Sequence, residues 1–221
     1  MKRSASALAA AALAAGVLLI PAAQAAAGQF HTAAGALDDF DCDGFSDTVY
    51  LAHYYDVGDA RGAGAIIVYR NSGGEQTISQ NTPGVPGTTE IGDSFGEVYA
   101  SADFNGDGCD ELIVAAPYED VDGAESAGII TIINGSPNGL VPAQSVAYTQ
   151  NTAGVPDAAE EEDAFGVTLV AGATSSGQAY LIAGSPGESV GGPLTDNASA
   201  DHLGGYGTYY TQVAWSPILG A

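Results

Sequence analysis

Two short acidic segments contain the residues best suited to chemistry in this 221-residue chain. They read Asp39-Phe-Asp-Cys-Asp-Gly-Phe-Ser-Asp47 and Asp103-Phe-Asn-Gly-Asp-Gly-Cys-Asp-Glu111, and they begin 64 residues apart. Both fit D-x-[DN]-x-D-G-x-x-[DE], in which side-chain oxygens at positions 1, 3, 5 and 9 and the carbonyl of position 7 surround a hard cation such as Ca²⁺. Glycine at position 6 permits the positive φ that folds the loop back on itself.

This pattern predicts two Ca²⁺ sites, and a solvated acidic turn is the alternative interpretation of each loop. In the first loop the predicted ligands are Asp39, Asp41, Asp43, the carbonyl of Phe45, and Asp47. In the second loop they are Asp103, Asn105, Asp107, the carbonyl of Cys109, and Glu111.

The segments after the loops indicate strands. Residues 48–51 and 112–115 are rich in apolar and β-branched side chains. An EF-hand would place a bidentate Glu at position 12, where this chain has Tyr50 or Val114. We therefore expect calcium loops that lead into β-strands and not into helices.

Internal repeats predict the architecture. Residues 64–68 match residues 128–132 at an offset of 64, and residues 80–86 match residues 150–156 at an offset of 70. Each unit reads as four short strands separated by turns, which is the pattern of a β-propeller blade. Residues 172–177, where a third loop would lie, contain no carboxylate, so we expect no calcium there.

These motifs resemble a known family. Phe95-Gly96, the loop at residues 103–108, and the Val-Ala-Ala-Pro segment ending at Pro117 are similar to the FG-GAP repeat of integrin α-chain propellers and of many exported bacterial proteins. The resemblance implies the same calcium ligands and the blades of a seven-bladed propeller. We expect an all-β fold, a partial or small propeller of about three four-stranded blades at roughly 37–92, 93–162 and 163–221.

The repeat pattern dissolves after Gly192, and three blades are fewer than a closed propeller uses. Three explanations stay open: the C-terminal tail supplies strands, subunits associate through open blade edges, or the chain is a shortened descendant of a larger propeller. An open sheet edge favours pairing with another chain.

The first residues predict export. Lys2 and Arg3 precede an apolar stretch that runs to Ile20, and Ala23-Gln-Ala25 fits a cleavage site, so residues 1–25 read as a signal peptide. The remaining 26–221 should be secreted and should contain no membrane span. Loss of the two basic residues moves the formal charge from −23 to −25. This charge disfavours nucleic acid and anionic membranes as partners.

The two cysteines, Cys42 and Cys109, occupy different positions of the two loops. An oxidising compartment permits one disulfide between them, but separation in sequence does not decide whether their Cα atoms approach closely enough. The pairing is left open.

We predict no catalytic residue. Gly187-Glu-Ser189-Val-Gly191 matches the G-x-S-x-G nucleophile motif, but Gly-Gly-Pro follows it, which starts no helix. The favoured function is a secreted, calcium-stabilised interaction module for an extracellular or cell-surface protein or glycan. The alternatives are a secreted hydrolase with Ser189 as nucleophile, since FG-GAP-like repeats also accompany phospholipases and esterases, and a non-functional fragment.

Overall fold

The structure is a computed structural model that describes residues 38–155, 157–173, 179–187 and 210–213. Within these ranges the chain forms ten β-strands and no helix, so no membrane-crossing helix is found there. The strands are β1 Thr48–Ala52, β2 Ala65–Tyr69, β3 Glu75–Ile78, β4 Val98–Ala102, β5 Glu111–Ala116, β6 Ile129–Asn134, β7 Val141–Tyr148, β8 Thr168–Ala173, β9 Ala179–Gly184 and β10 Tyr210–Val213.

The strands form three antiparallel sheets, which we call blades 1, 2 and 3. Blade 1 has the order β1-β2-β3, blade 2 the order β4-β5-β6-β7, and blade 3 the order β8-β9-β10. The fold is all-β, and three stacked meander sheets built from repeats make it a partial β-propeller. Blade 2 is complete with four strands, while three strands of each outer blade fall within the described residues. In blade 3 the tail supplies the third strand, β10.

Strand β5 of blade 2 is buried on both faces, which explains its unbroken apolar run. Leu112 and Val114 pack against Ile66 and Val68 of blade 1 in one hydrophobic cluster. The alternate residues of the same strand pack against blade 3 in a second cluster, which contains Ile113, Ala115, Leu169, Ala171, Leu181 and Ala183. Successive side chains of a strand point to opposite faces, so each face of β5 serves a different neighbour.

The Phe-Gly dipeptides join blade 2 to blade 1 and blade 3 to blade 2. The side chains of Phe95 and Phe165 are wholly buried. The Phe95 N–H donates to the carbonyl of Ala63 at 2.8 Å, and the Phe165 N–H donates to the carbonyl of Ala127 at 2.9 Å. The same contact therefore recurs at both blade junctions and fixes how the sheets stack.

Candidate metal site

The first acidic loop folds around the carboxylate of Asp39. Its two oxygens accept the N–H groups of Asp43 and Gly44, each at 3.0 Å, and Asp43 accepts the N–H of Phe45 at 2.8 Å. Cys42 and Gly44 have positive φ values of 56° and 86°, which turn these N–H groups inward. The loop therefore closes by its own hydrogen bonds.

Three of the predicted ligands of this loop come together. Oxygens of Asp39, Asp41 and Asp43 all lie within 4.8 Å of one another. Asp41 is only 6% exposed, and its Oδ1 is buried without a hydrogen-bond partner. A buried carboxylate oxygen without a donor is costly, and a cation would satisfy it. The residues present therefore fit a hard divalent ion.

The other oxygen of Asp41 is already engaged. Ser72 donates its hydroxyl to Asp41 Oδ2, and Arg70 Nη1 lies 3.9 Å from the same atom. Both residues come from the turn between β2 and β3, so blade 1 itself supplies a positive charge at the edge of the loop. Neither residue belongs to the loop motif, so the motif does not predict this contact.

Asp47, the last predicted ligand of this loop, is engaged in backbone hydrogen bonds. The Asp47 carboxylate accepts the N–H of Phe40 at 3.1 Å and that of Asn71 at 2.8 Å, which ties the end of the loop to the β2–β3 turn. Burial raises the pKa of Asp47, and these two hydrogen bonds partly offset the rise. The Phe45 side chain is 64% exposed.

The second loop repeats the fold of the first. Asp103 accepts the N–H of Gly106 at 2.7 Å on one oxygen and that of Gly108 at 3.0 Å on the other. Asn105 Oδ1 accepts the N–H of Asp107 at 2.8 Å, and Asp107 Oδ1 accepts the N–H of Cys109 at 2.9 Å. The three-carboxylate group seen in the first loop is not reproduced here among the described residues. One reason is that position 3 is an amide.

Glu111 closes the second loop from the first position of β5. Its carboxylate is wholly buried and accepts the N–H of Phe104 at 2.7 Å and the amide of Asn105 at 2.9 Å. Burial raises the pKa of Glu111 to about 7, and the charges of Asp103 and Asp107 raise it further against the effect of these hydrogen bonds.

The two loops lie side by side and are joined. Cys42 and Cys109 form a disulfide with a Cα–Cα distance of 4.6 Å, which decides the pairing that the sequence leaves open. The Asp39 N–H donates to Asp110 Oδ2 at 3.3 Å, and the Asp110 N–H donates to the Asp39 carbonyl at 2.9 Å.

Comparison with known proteins identifies the repeat. Residues 95–133 match the family model of the FG-GAP repeat. The chain carries an FG-GAP repeat. The match begins at the Phe-Gly junction of blade 2, includes the whole second loop and ends in β6, which confirms the resemblance noted in the sequence. A comparison with curated proteins found no significant match.

Two aspartates that are not among the predicted ligands, Asp38 before the first loop and Asp110 within the FG-GAP repeat, hold the loops in place. Asp38, at a φ of 57°, accepts the hydroxyls of Ser101 at 2.5 Å and Tyr99 at 3.3 Å, which anchors the first loop to β4 of the FG-GAP segment. Asp110 contacts the backbone of the first loop, and burial raises its pKa to about 6. The ligand pattern does not include Asp110, so the sequence alone does not point to this role.

Several sequence predictions fall outside the described residues. Residues 1–25, most of the carboxylate-free third loop at 174–177, and Ser189 are among them. FG-GAP repeats are typically non-catalytic structural modules of β-propellers, and the described part of the chain adds nothing in favour of a hydrolase.

Proposed function

We propose that this chain is a secreted FG-GAP module that binds Ca²⁺ in both acidic loops and uses its blades to bind an extracellular or cell-surface protein or glycan. The observation that carries the proposal is Asp41 Oδ1, a buried oxygen without a partner beside two further carboxylates. The disulfide is compatible with an oxidising extracellular environment.

In this proposal Ca²⁺ stabilises the fold. Asp39, Asp41, Asp43, Asp47 and the Phe45 carbonyl hold one ion; the second is held by Asp103, Asn105, Asp107, the Cys109 carbonyl and Glu111. The ion supplies positive charge that offsets the repulsion among these carboxylates and the cost of burying them. The first loop leads directly into β1 of blade 1, and the second loop leads directly into β5 of blade 2. Closing a loop therefore fixes where that strand begins.

Exposed aromatic side chains support a ligand-binding role. Tyr54 and Tyr118 occupy equivalent positions after β1 and β5, with side chains 80% and 44% exposed. Each lies beyond the end of its strand opposite the acidic loop, about 15 Å away at the usual rise of a strand. Exposed tyrosines are common at binding surfaces because they combine a large apolar ring with a polar hydroxyl. The proposed ligand therefore contacts a different end of the blades from the ions.

Calorimetric titration with calcium chloride tests the metal sites. We expect two ions per chain, with dissociation constants of about 10⁻⁴–10⁻³ M as in other extracellular calcium modules. Asp59→Asn, which removes one exposed carboxylate from the β1–β2 turn, is the matched control and should bind two ions like the parent. Absence of binding at millimolar calcium would refute the proposal.

Two further measurements test secretion and ligand binding. Mass spectrometry of the exported protein should find a chain that begins near Ala26, and an intact Met1 start would contradict secretion through a cleaved signal.

Fluorescently labelled protein should bind the surface of the producing cells, and the double variant Tyr54→Ser/Tyr118→Ser should bind less. Equal binding by this variant and the parent would place the ligand elsewhere.

A further inference from the structure

We infer that the two acidic loops are one coupled cation-binding unit, in which an ion in either loop raises the affinity of the other loop. The disulfide between Cys42 and Cys109 and the paired contacts of Asp39 with Asp110 provide the coupling. The inference rests on the proposed function, since it concerns how the same two sites act on each other.

The disulfide connects the ligand sets directly. Cys42 lies between Asp41 and Asp43, two of the carboxylates that converge in the first loop. Its partner, Cys109, carries the carbonyl proposed as a ligand in the second loop and is 2% exposed. An ion that fixes the backbone around Cys42 therefore also restrains the position of the Cys109 carbonyl.

Hydrogen bonds make a second connection, independent of the disulfide. Asp39 exchanges two hydrogen bonds with Asp110, whose chain neighbour Glu111 closes the second loop. The carbonyl of Phe40 also accepts the N–H of Ser136, from the turn between β6 and β7, at 3.1 Å. The start of the first loop is therefore hydrogen-bonded to blade 2.

Coupling through shared order has a definite sign. The first ion bears the entropy cost of ordering a unit that includes both loops, so the second ion has less to order and binds more tightly. Repulsion between two bound Ca²⁺ ions opposes this effect. The nine carboxyl groups of the unit, however, outnumber the four positive charges of the two ions. They are Asp38, Asp39, Asp41, Asp43, Asp47, Asp103, Asp107, Asp110 and Glu111.

The test compares binding constants from calorimetric titration with calcium chloride. Asp43→Asn and Asp107→Asn change the exposed fifth position of each loop and leave the other loop intact. The overall two-site constant of the parent, divided by the product of the two single-site constants, gives the coupling factor. We expect a factor of about ten, within the usual range of allosteric coupling. Asp59→Asn should leave both parent constants unchanged.

The same cycle in the Cys42→Ala/Cys109→Ala background isolates the disulfide, and there the factor should fall but stay above one, because the hydrogen bonds between Asp39 and Asp110 remain. Because intrinsic affinities cancel in the ratio, a general weakening of a site does not imitate this result. If the double variant does not fold, Asp110→Ala in the oxidised protein should lower the factor. Asp110→Asn should retain it, since its amide oxygen still accepts the Asp39 N–H.

The outcomes separate the two proposals. Two ions that bind with a factor of one or less overturn the coupling and leave the metal sites standing. A factor above one that neither the cysteine nor the Asp110 variants alter overturns the inferred route through the disulfide and the Asp39–Asp110 contacts. No binding by the parent at millimolar calcium overturns the proposed function together with the coupling.

Discussion

Gln80 donates a hydrogen bond of 2.6 Å from Nε2 to Oε2 of Glu119, across the junction between blades 1 and 2. The other oxygen of Glu119 accepts the N–H of Thr88 at 3.1 Å. Glu119, 5% exposed, thereby holds the connection between β3 and β4 against the turn that follows β5. Burial raises its pKa to about 7, although these hydrogen bonds act in the opposite direction.

This pKa predicts that the calcium-free protein is more stable in mild acid. The folded state holds the Glu119 proton more tightly than the unfolded state, whose pKa is about 4.5. The associated stability is complete below about pH 4.5 and is lost as the pH rises through about 7. Asp93, whose pKa burial raises to about 6, adds to the trend.

Urea unfolding of dialysed, calcium-free protein between pH 5 and pH 8 measures this trend. We expect the free energy of unfolding to fall as the pH rises, and Glu119→Gln to flatten part of the slope. Glu125→Gln, an exposed glutamate in the next turn, should leave the slope unchanged. Stability that increases with pH over this range would contradict the assigned direction.

Calcium should raise the melting temperature, and each loop should contribute. An ion that binds the folded state alone adds RT ln(1 + [L]/Kd), about 1.4 kcal/mol at ten times Kd. Asp43→Ala and Asp107→Ala should each remove at least half of the calcium-dependent shift in scanning calorimetry, and the double variant should remove all of it. A melting temperature indifferent to calcium in the parent would mean that the ions, if bound, stabilise nothing.

Removing the positive charge of Arg70 should raise the calcium affinity of the first loop. Arg70 Nη1 lies 3.9 Å from Asp41 Oδ2, so the guanidinium competes with a cation for that carboxylate. Arg70→Gln should raise the affinity of the first loop about two- to fivefold, in line with the modest strength of partly exposed ion pairs. Titration in the Asp107→Asn background isolates this loop. Arg61→Gln, an exposed arginine of equal charge, is the control.

Gly64 should tolerate no side chain. Its φ is 90°, and a Cβ atom would lie 2.2 Å from the carbonyl oxygen of Phe95 at the blade junction. Gly123 has a φ of 93° and open space around the same position. Gly123→Ala should cost only the backbone penalty of about 1–2 kcal/mol. Gly64→Ala should lower the free energy of unfolding in urea substantially more. Equal losses in the two variants would mean that the blade junction can move apart at no cost in stability.

The shape of the two acidic loops follows from the sequence because their geometry is local. A ligand pattern of nine residues and a glycine at position 6 determine the hydrogen bonds around Asp39 and Asp103. The all-β fold follows similarly from strand-like segments repeated at a fixed offset. Both the loops and the strands have sequence signals that lie within a few residues.

The contacts between loops depend instead on how two blades stack. Asp39 reaches Asp110, 71 residues further along the chain, only because blades 1 and 2 pack against each other. The motif also treats both loops as equal, whereas Arg70 and Ser72 both contact Asp41 of the first loop. Such differences come from the neighbouring β2–β3 turn, which the motif does not include.

The two buried faces of β5 have a consequence for dissection of the chain. Residues 95–133 carry the recognisable repeat. Cut out alone, this segment would expose Leu112 and Val114 on one side and Ile113 and Ala115 on the other. The recognisable motif is therefore not an autonomous folding unit: a fragment that ends at its boundaries should aggregate, and the smallest soluble piece must include strands from the blades on either side.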